Sequence, residues 1–246
     1  MYQFFVEPEN IQGKKVIITG SDVNHIKNVL RMQVGEEINV SNGIDGKEYR
    51  CAITELGEEI VCELRFVKED GVELPSKIYL FQGLPKSDKM ELVIQKAVEL
   101  GVYEVIPVSM ARSIVKIDEK KKASRVARWQ EIAKAAAKQS KRGIIPQVHD
   151  IITYKQAVEY AKDLDVKLIP YEMAEGMAYT KSIIEAIQPG ESIGFIIGPE
   201  GGIDDKELTI AKEAGFKEIT LGKRILRTET AGLTVMSILM YQLEGN

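Results

Sequence analysis

Two segments in the C-terminal third hold residue types whose spacing could do chemistry. The first, Gly198-Pro199-Glu200-Gly201-Gly202, follows the apolar run Ile193-Gly194-Phe195-Ile196-Ile197 and leads into a helix predicted from Asp204. Glycines so placed let a backbone approach a ligand closely and turn its N–H groups toward it. The segment is neither a dinucleotide fingerprint nor a P-loop: no Lys-Ser/Thr pair follows the glycines, and no strand ending in an acid sits about 20 residues on. A tight strand-to-helix turn explains the glycines as well as a ligand does. The second segment runs from Leu221-Gly222-Lys223-Arg224-Ile225 through Leu226-Arg227-Thr228-Glu229-Thr230 to Ala231. Thr228 or Thr230 could cap the helix that follows, because a hydroxyl accepts the orphan N–H groups there. Capping leaves Arg224, Arg227 and Glu229 unexplained; they form either a structural ion pair or part of a site. A third turn, Pro170-Tyr171-Glu172, is less distinctive.

These segments lie where strands alternate with helices. Strands are predicted at 78–82, 102–108, 166–170, 192–197 and 218–221. Helices are predicted at 90–100, 122–140, from Thr153 onward with Thr153-x-x-Gln156 as a capping box, at 204–214 and at 229–243. Such alternation implies a mainly parallel sheet covered on both faces, whose ligand site lies at the carboxyl ends of its strands. The first 70 residues read differently. Short strands at 15–19, 37–41, 48–54 and 60–67 are separated by Asn42-Gly43, Asp45-Gly46 and Gly57, with one helix near 23–30 capped by Ser21 or Asp22. A small β-barrel followed by an α/β domain is expected, with the boundary between residues 72 and 73.

Composition narrows the classes. The chain has 246 residues, 44% of them apolar and 28% charged, as in an ordinary soluble globule. No apolar run reaches the roughly 18–20 residues of a membrane helix, and the N-terminus lacks a secretory pattern. With only Cys51 and Cys62, and with His25 and His149 far from other ligand types, neither a disulfide framework nor a metal site is expected, and a cytoplasmic setting is. Net charge is −4, yet residues 116–142 carry ten Lys/Arg against three Asp/Glu, while residues 1–75 carry eight against 14. A local cationic focus of that kind can attract a phosphate backbone even from an acidic chain; a solvated helix face is the equal alternative.

The two C-terminal segments closely resemble the ribosomal RNA small subunit methyltransferase E family, the 16S ribosomal RNA uridine N3-methyltransferases of the SPOUT superfamily. Further matches run in order along nearly the whole chain: His25-x-x-x-Val29-Leu30-Arg31, Lys89-Met90-Glu91, Gln95-Lys96-Ala97-x-Glu99-Leu100-Gly101-Val102, Arg112-Ser113, Gln139-Ser140-x-Arg142 and Ile145-Pro146. Two positions depart from the family pattern: Gln3 stands where an arginine is common, and Ala135 where a carboxylate is. The resemblance implies a PUA-like β-barrel RNA-binding domain at 1–72 and a SPOUT methyltransferase domain at 73–246. It also implies a deep C-terminal trefoil knot, where residue patterns alone suggest an open doubly wound sheet. Active sites in the superfamily usually form at a homodimer interface, and the apolar last helix offers Leu233, Met236, Ile238, Leu239 and Met240 for such burial or for its own core.

By the same resemblance S-adenosylmethionine is the cofactor, held by Pro170, Gly198, Pro199, Glu200, Gly201, Gly202, Leu221, Gly222, Arg224, Ile225, Leu226, Thr230 and Ala231. The implied reaction is attack by a uridine N3 on the cofactor's methyl group. Some group must take the N3 proton or stabilise the developing anion, for which Arg224, Arg227 and Glu229 are the candidates. His25, Arg31, Arg112, Lys116, Arg128 and Arg142 are the candidate RNA contacts. A non-catalytic ribosome-assembly factor, or a SPOUT enzyme acting on another RNA or a ribose 2′-oxygen, are the competing expectations.

Overall fold

The computed structural model describes residues 1–69, 71–86, 88–115, 118–174 and 176–244, the side chain of Glu119 excepted. Lys116, an expected RNA contact, lies outside the described residues. The chain divides into two compact units: Met1–Glu73 with Ala137–Ile145, and Leu74–Ala136 with Pro146–Asn246.

The first unit is built on six strands: β1 (Gln3–Phe5), β2 (Ile11–Gln12), β3 (Lys15–Ile18), β4 (Glu37–Ser41), β5 (Glu48–Leu56) and β6 (Ile60–Lys68). They hydrogen-bond in the order β1-β4-β5-β6-β3-β2, antiparallel except for the β1–β4 pair. Their alternating apolar residues, among them Phe4, Val16, Ile18, Ile38, Val40, Cys51, Ile53, Ile60 and Cys62, meet in one buried core. Burial pushes both thiols up to about 12, so they stay protonated at neutral pH.

The expected helix near 23–30 is a composite. One α turn, α1 (Ser21–Asn24), passes into a π-helical turn over His25–Val29. Neither Ser21 nor Asp22 is its cap: Ser21 opens the helix and Gly20 precedes it without a side-chain bond. Residues 137–145 join this unit through specific bonds. The Gln3 Nε2 group donates to the Arg142 carbonyl at 2.6 Å, Gly43 bridges Ile144, and Glu73 accepts the Gly143 and Ile144 N–H groups.

The second unit is a sheet of seven strands: β7 (Ile78–Gly83), β8 (Glu104–Ser109), β9 (Gln147–Val148), β10 (Ile152–Thr153), β11 (Val166–Pro170), β12 (Ile193–Ile197) and β13 (Lys217–Ile219). The order is β10-β8-β7-β12-β11-β13, with β9 also on β8, and every pair is parallel. The central strands are buried on both faces, which is why β12 reads as the unbroken apolar run Ile-Gly-Phe-Ile-Ile rather than an alternation.

The intervening helices are α2 (Lys89–Glu99), α3 (Glu119–Gln139), α4 (Tyr154–Tyr160), α5 (Met177–Glu185), α6 (Asp205–Glu213) and α7 (Thr228–Glu244). The Thr153–Gln156 capping box forms as expected, and α6 has a second one from Asp204 and Glu207. Helix α5 and the two-residue strands β9 and β10 were not legible in the sequence pattern. On α7, Met236 and Leu239 are buried within the unit, while Leu233, Ile238 and Met240 remain partly exposed.

Candidate functional site

The carboxyl ends of β11, β12 and β13 open on a cleft of about 630 Å³. Its walls are the three turns that the sequence singled out. Pro170, Gly198, Pro199, Glu200, Gly201, Gly202, Leu221, Gly222, Arg224, Ile225, Leu226, Arg227 and Ala231 all line it. Thr230 and Glu229 do not; Glu229 pairs with Lys89, and the Thr230 carbonyl accepts from Thr234.

At Gly198 and Gly201 the glycine turn is shaped by contacts that leave no room for a side chain. A Cβ on Gly201 would come within 2.9 Å of the Arg112 carbonyl oxygen, so this glycine permits the close approach of two backbones. Arg112 itself lines the cleft, its guanidinium 3.5 Å from Asp204 and donating to the Gly201 carbonyl at 3.4 Å. The Glu207 carboxylate, at the start of α6, accepts the Ala111 N–H at 2.8 Å and so fixes the turn that carries Arg112. On the opposite wall Gly222 has a φ of +104°, which lets the chain reverse after β13. There the Thr180 hydroxyl accepts the Thr220 N–H at 2.9 Å.

Two relays join these walls, and sequence reasoning found neither. Gln82, at the carboxyl end of β7 and fully buried, donates through Nε2 to the Thr228 hydroxyl at 2.9 Å. That hydroxyl in turn donates to the Gly198 carbonyl at 2.6 Å. Thr228, a possible helix cap on sequence, thus ties the first turn of α7 to the glycine turn. The Oε1 atom of Gln82 is buried without a hydrogen-bond partner. The second relay is ionic. The Lys89 ammonium lies 3.0 Å from Glu200 and 3.3 Å from Glu229, and its hydrogen bond to Glu200 raises the lysine's pKa.

Burial alone would push the Glu200 carboxyl up; the Lys86 N–H and Lys89 outweigh it and hold the group below the ordinary glutamate range. Glu229 therefore pairs with a lysine, not with Arg224 or Arg227. Both arginines are exposed and have no ion-pair partner among the described residues. Lys89 belonged to a recognisable motif, but nothing in its neighbours told that it would face residues 111 and 140 positions away. Among the described residues no group of His, Cys, Asp and Glu is arranged to hold a metal.

The remaining basic residues separate by burial. Arg128 is 68% exposed and pairs with Glu91 at 2.7 Å. Arg142 is 4% exposed and its guanidinium is engaged by the Glu73 carboxylate. His25 is half-buried, its ring edge-on to Phe4 at 6.2 Å, and Arg31 is exposed.

Comparison with known proteins accords with this arrangement. An RNA methyltransferase domain matches residues 72–240, and an RNA methyltransferase PUA domain matches residues 18–64. The ribosomal RNA small subunit methyltransferase E of Bacillus subtilis is 38% identical over 252 aligned positions, covering 99% of this chain and 98% of that one. A crystal structure of the Neisseria gonorrhoeae protein of the same name, bound to S-adenosyl methionine, superposes with a TM-score of 0.83 at 37% identity, over 96% of this chain and 95% of that one. A Legionella pneumophila methyltransferase in complex with the same cofactor gives 0.81 at 33% identity, over 96% of each chain. Likeness of this extent, over nearly the whole chain, shows that the chain belongs to the ribosomal RNA small subunit methyltransferase E family.

Proposed function

We propose that this protein methylates N3 of one uridine in 16S ribosomal RNA of the small subunit, with S-adenosylmethionine as donor. The observation that carries the reading is the cleft itself: a glycine turn and an arginine-bearing turn face one another at the carboxyl ends of parallel strands. The residues present fit the donor. Some 630 Å³ is within the range of small-molecule sites, and the crowded Gly198 and Gly201 positions bring bare backbone to the wall. The cleft lining is net cationic, with Lys89, Arg112, Lys223, Arg224 and Arg227 against Glu172 and Glu200, which suits an anionic RNA substrate beside the donor.

When bound, the donor supplies an electrophilic methyl group on a sulfonium sulfur. Pro170, Gly198–Gly202, Leu221, Gly222, Ile225, Leu226 and Ala231 would hold it. The guanidinium groups of Arg224 and Arg227, without ion-pair partners among the described residues, would face the base oxygens, where negative charge gathers as N3 loses its proton. Glu229, which does not line the cleft and pairs with Lys89, would hold that lysine and Glu200 in place, and the N3 proton passes to solvent. Residues 1–72 serve as the RNA-binding domain and 73–246 as the catalytic domain, with a C-terminal trefoil knot.

A cytoplasmic homodimer completes the reading, supported by Tyr241, which is 81% exposed on α7 beside the partly exposed Leu233, Ile238 and Met240. No described helix is long and apolar enough to cross a membrane. Sedimentation should give twice the 27.5 kDa chain mass. Mass spectrometry of ribosomal RNA from cells lacking the protein tests the reaction: one methylated uridine should disappear and return with the wild-type gene. Full methylation in its absence would refute the reading. Calorimetry with S-adenosylmethionine separates enzyme from assembly factor, since only the enzyme needs to bind the donor.

A further inference from the structure

Among the described residues other than glycine, only Arg31 and Lys141 have a positive φ, at 54° and 60°. Both are exposed and cationic, and both follow the last turn of a helix in the first unit. After α3 the Arg142 N–H returns to the Ala137 carbonyl and the Lys141 N–H to Lys138, which places Lys141 at the left-handed position where helices favour glycine. After the π-helical turn the Met32 N–H returns to the Ile26 carbonyl, with Arg31 in the equivalent place. An unbranched cationic side chain brings no backbone advantage there, since glycine takes this conformation without a Cβ penalty.

The end of α3 lies against α1. The Lys138 ammonium pairs with Asp22 of α1 and lies 4.6 Å over the Phe4 ring, against which His25 packs. Other cations nearby are engaged: Lys27 donates to the Gly57 carbonyl, Lys138 binds Asp22 and Arg142 binds Glu73. The side chains of Arg31 and Lys141 alone in this group have no partner among the described residues. A helix-end cation also favours the terminal carbonyls, so a purely local role has to be tested against.

We propose that Arg31 and Lys141 are two phosphate contacts on the first unit, cationic side chains held on left-handed backbone to meet the RNA substrate. Lys141, not the buried Arg142, is then the cation this turn presents to RNA. The inference rests on the proposed RNA-methylating function.

The test uses the full-length chain, a fragment of small-subunit ribosomal RNA, and salt from 50 to 200 mM. Arg31→Gly and Lys141→Gly relieve the backbone while removing charge; Arg31→Asn and Lys141→Asn remove charge but keep a residue that tolerates this conformation. Each should weaken RNA binding about 3- to 10-fold at low salt and lower the slope of log K against log salt by roughly 0.7 to 0.9. Thermal midpoints should stay level or rise by about 1–3 °C for the glycine variants. Arg31→Lys and Lys141→Arg should bind as wild type. Unchanged affinity and slope in the charge-removing variants, with wild type still binding RNA, would overturn this inference alone. Unchanged affinity with a lowered midpoint would do the same, making both side chains helix-end stabilisers. A wild-type chain that neither binds the fragment nor affects ribosomal RNA methylation in cells would remove the functional reading and this inference together.

Discussion

Arg142 and the pair Arg224 and Arg227 are the same residue type put to opposite uses. Arg142 is buried and closed on Glu73, whose carboxylate also accepts two backbone N–H groups. Arg224 and Arg227 stand exposed in a turn, without carboxylate partners among the described residues, on the wall of a cleft. A partnered, buried charge holds the fold, because removing either member strands the other in a poor solvent. An unpartnered charge at a concave site is available to a ligand. Lys89 lies between these extremes, partly exposed and shared by Glu200 and Glu229 at the same cleft.

The contrast is broken most readily at Arg224 and Arg227. Arg224→Ala and Arg227→Ala should each lower kcat by about 100- to 1000-fold if both arginines stabilise developing charge, while leaving the thermal midpoint unchanged. A large fall in midpoint would place them with Arg142 instead. Arg142→Met should do the reverse, costing about 3 kcal/mol of stability with near-normal turnover of the folded fraction, as denaturant titration with single-turnover kinetics would report. Adding Glu73→Gln to that variant should recover part of the loss, since the amide oxygen still accepts from Gly143 and Ile144.

Thr228→Val cuts the relay from Gln82 to Gly198 and should weaken donor binding by roughly 10-fold in calorimetry, about one to one and a half kcal/mol. Thr228→Ser should restore most of it.

Lys89→Met sharpens the intermediate case. In the wild type the depressed pKa of Glu200 contributes stability above the ordinary glutamate pKa that is lost as pH falls through the folded value. The variant should flatten that acid limb, and the Glu200 carboxyl should titrate higher by NMR. The smallest effect belongs to Glu104, which is 5% exposed and accepts a hydrogen bond from the Tyr160 hydroxyl at 2.9 Å. Burial raises its pKa despite that bond. Its charged form is thus disfavoured by folding, and Glu104→Gln should raise the thermal midpoint by a degree or so at neutral pH, with the gain vanishing in acid.

The parallel sheet, its main helices and the two cleft turns were legible because each rests on local signals. Continuous apolar strands, capping residues and glycines sit next to one another in the chain. Resemblance then added what spacing could not, namely a donor and a substrate class. Burial was not legible. Arg128 and Arg142 look alike within one basic segment, and only the fold makes one 68% exposed and the other 4%. Long-range partners were equally hidden: Gln82 reads as the last residue of a strand, and Lys89 as the start of an amphipathic helix. Helix α5 escaped because Gly176-Met177-Ala178 gives no side-chain cap, and β9 and β10 because two residues establish no period. The π-helical turn after α1 has no sequence signature that separates it from an ordinary helix.

Cys51 and Cys62 have a practical consequence. Both sulfur atoms are enclosed in the core of the first unit, and burial that excludes reagents and disfavours the thiolate should make them slow to react with maleimides at neutral pH. A third cysteine introduced at the surface would thus be the lone labelling handle, with no need to mutate the native pair. Ile225→Cys, at a position 87% exposed on the cleft turn, would carry a dye that reports ligand entry, and Tyr241→Cys one that reports self-association.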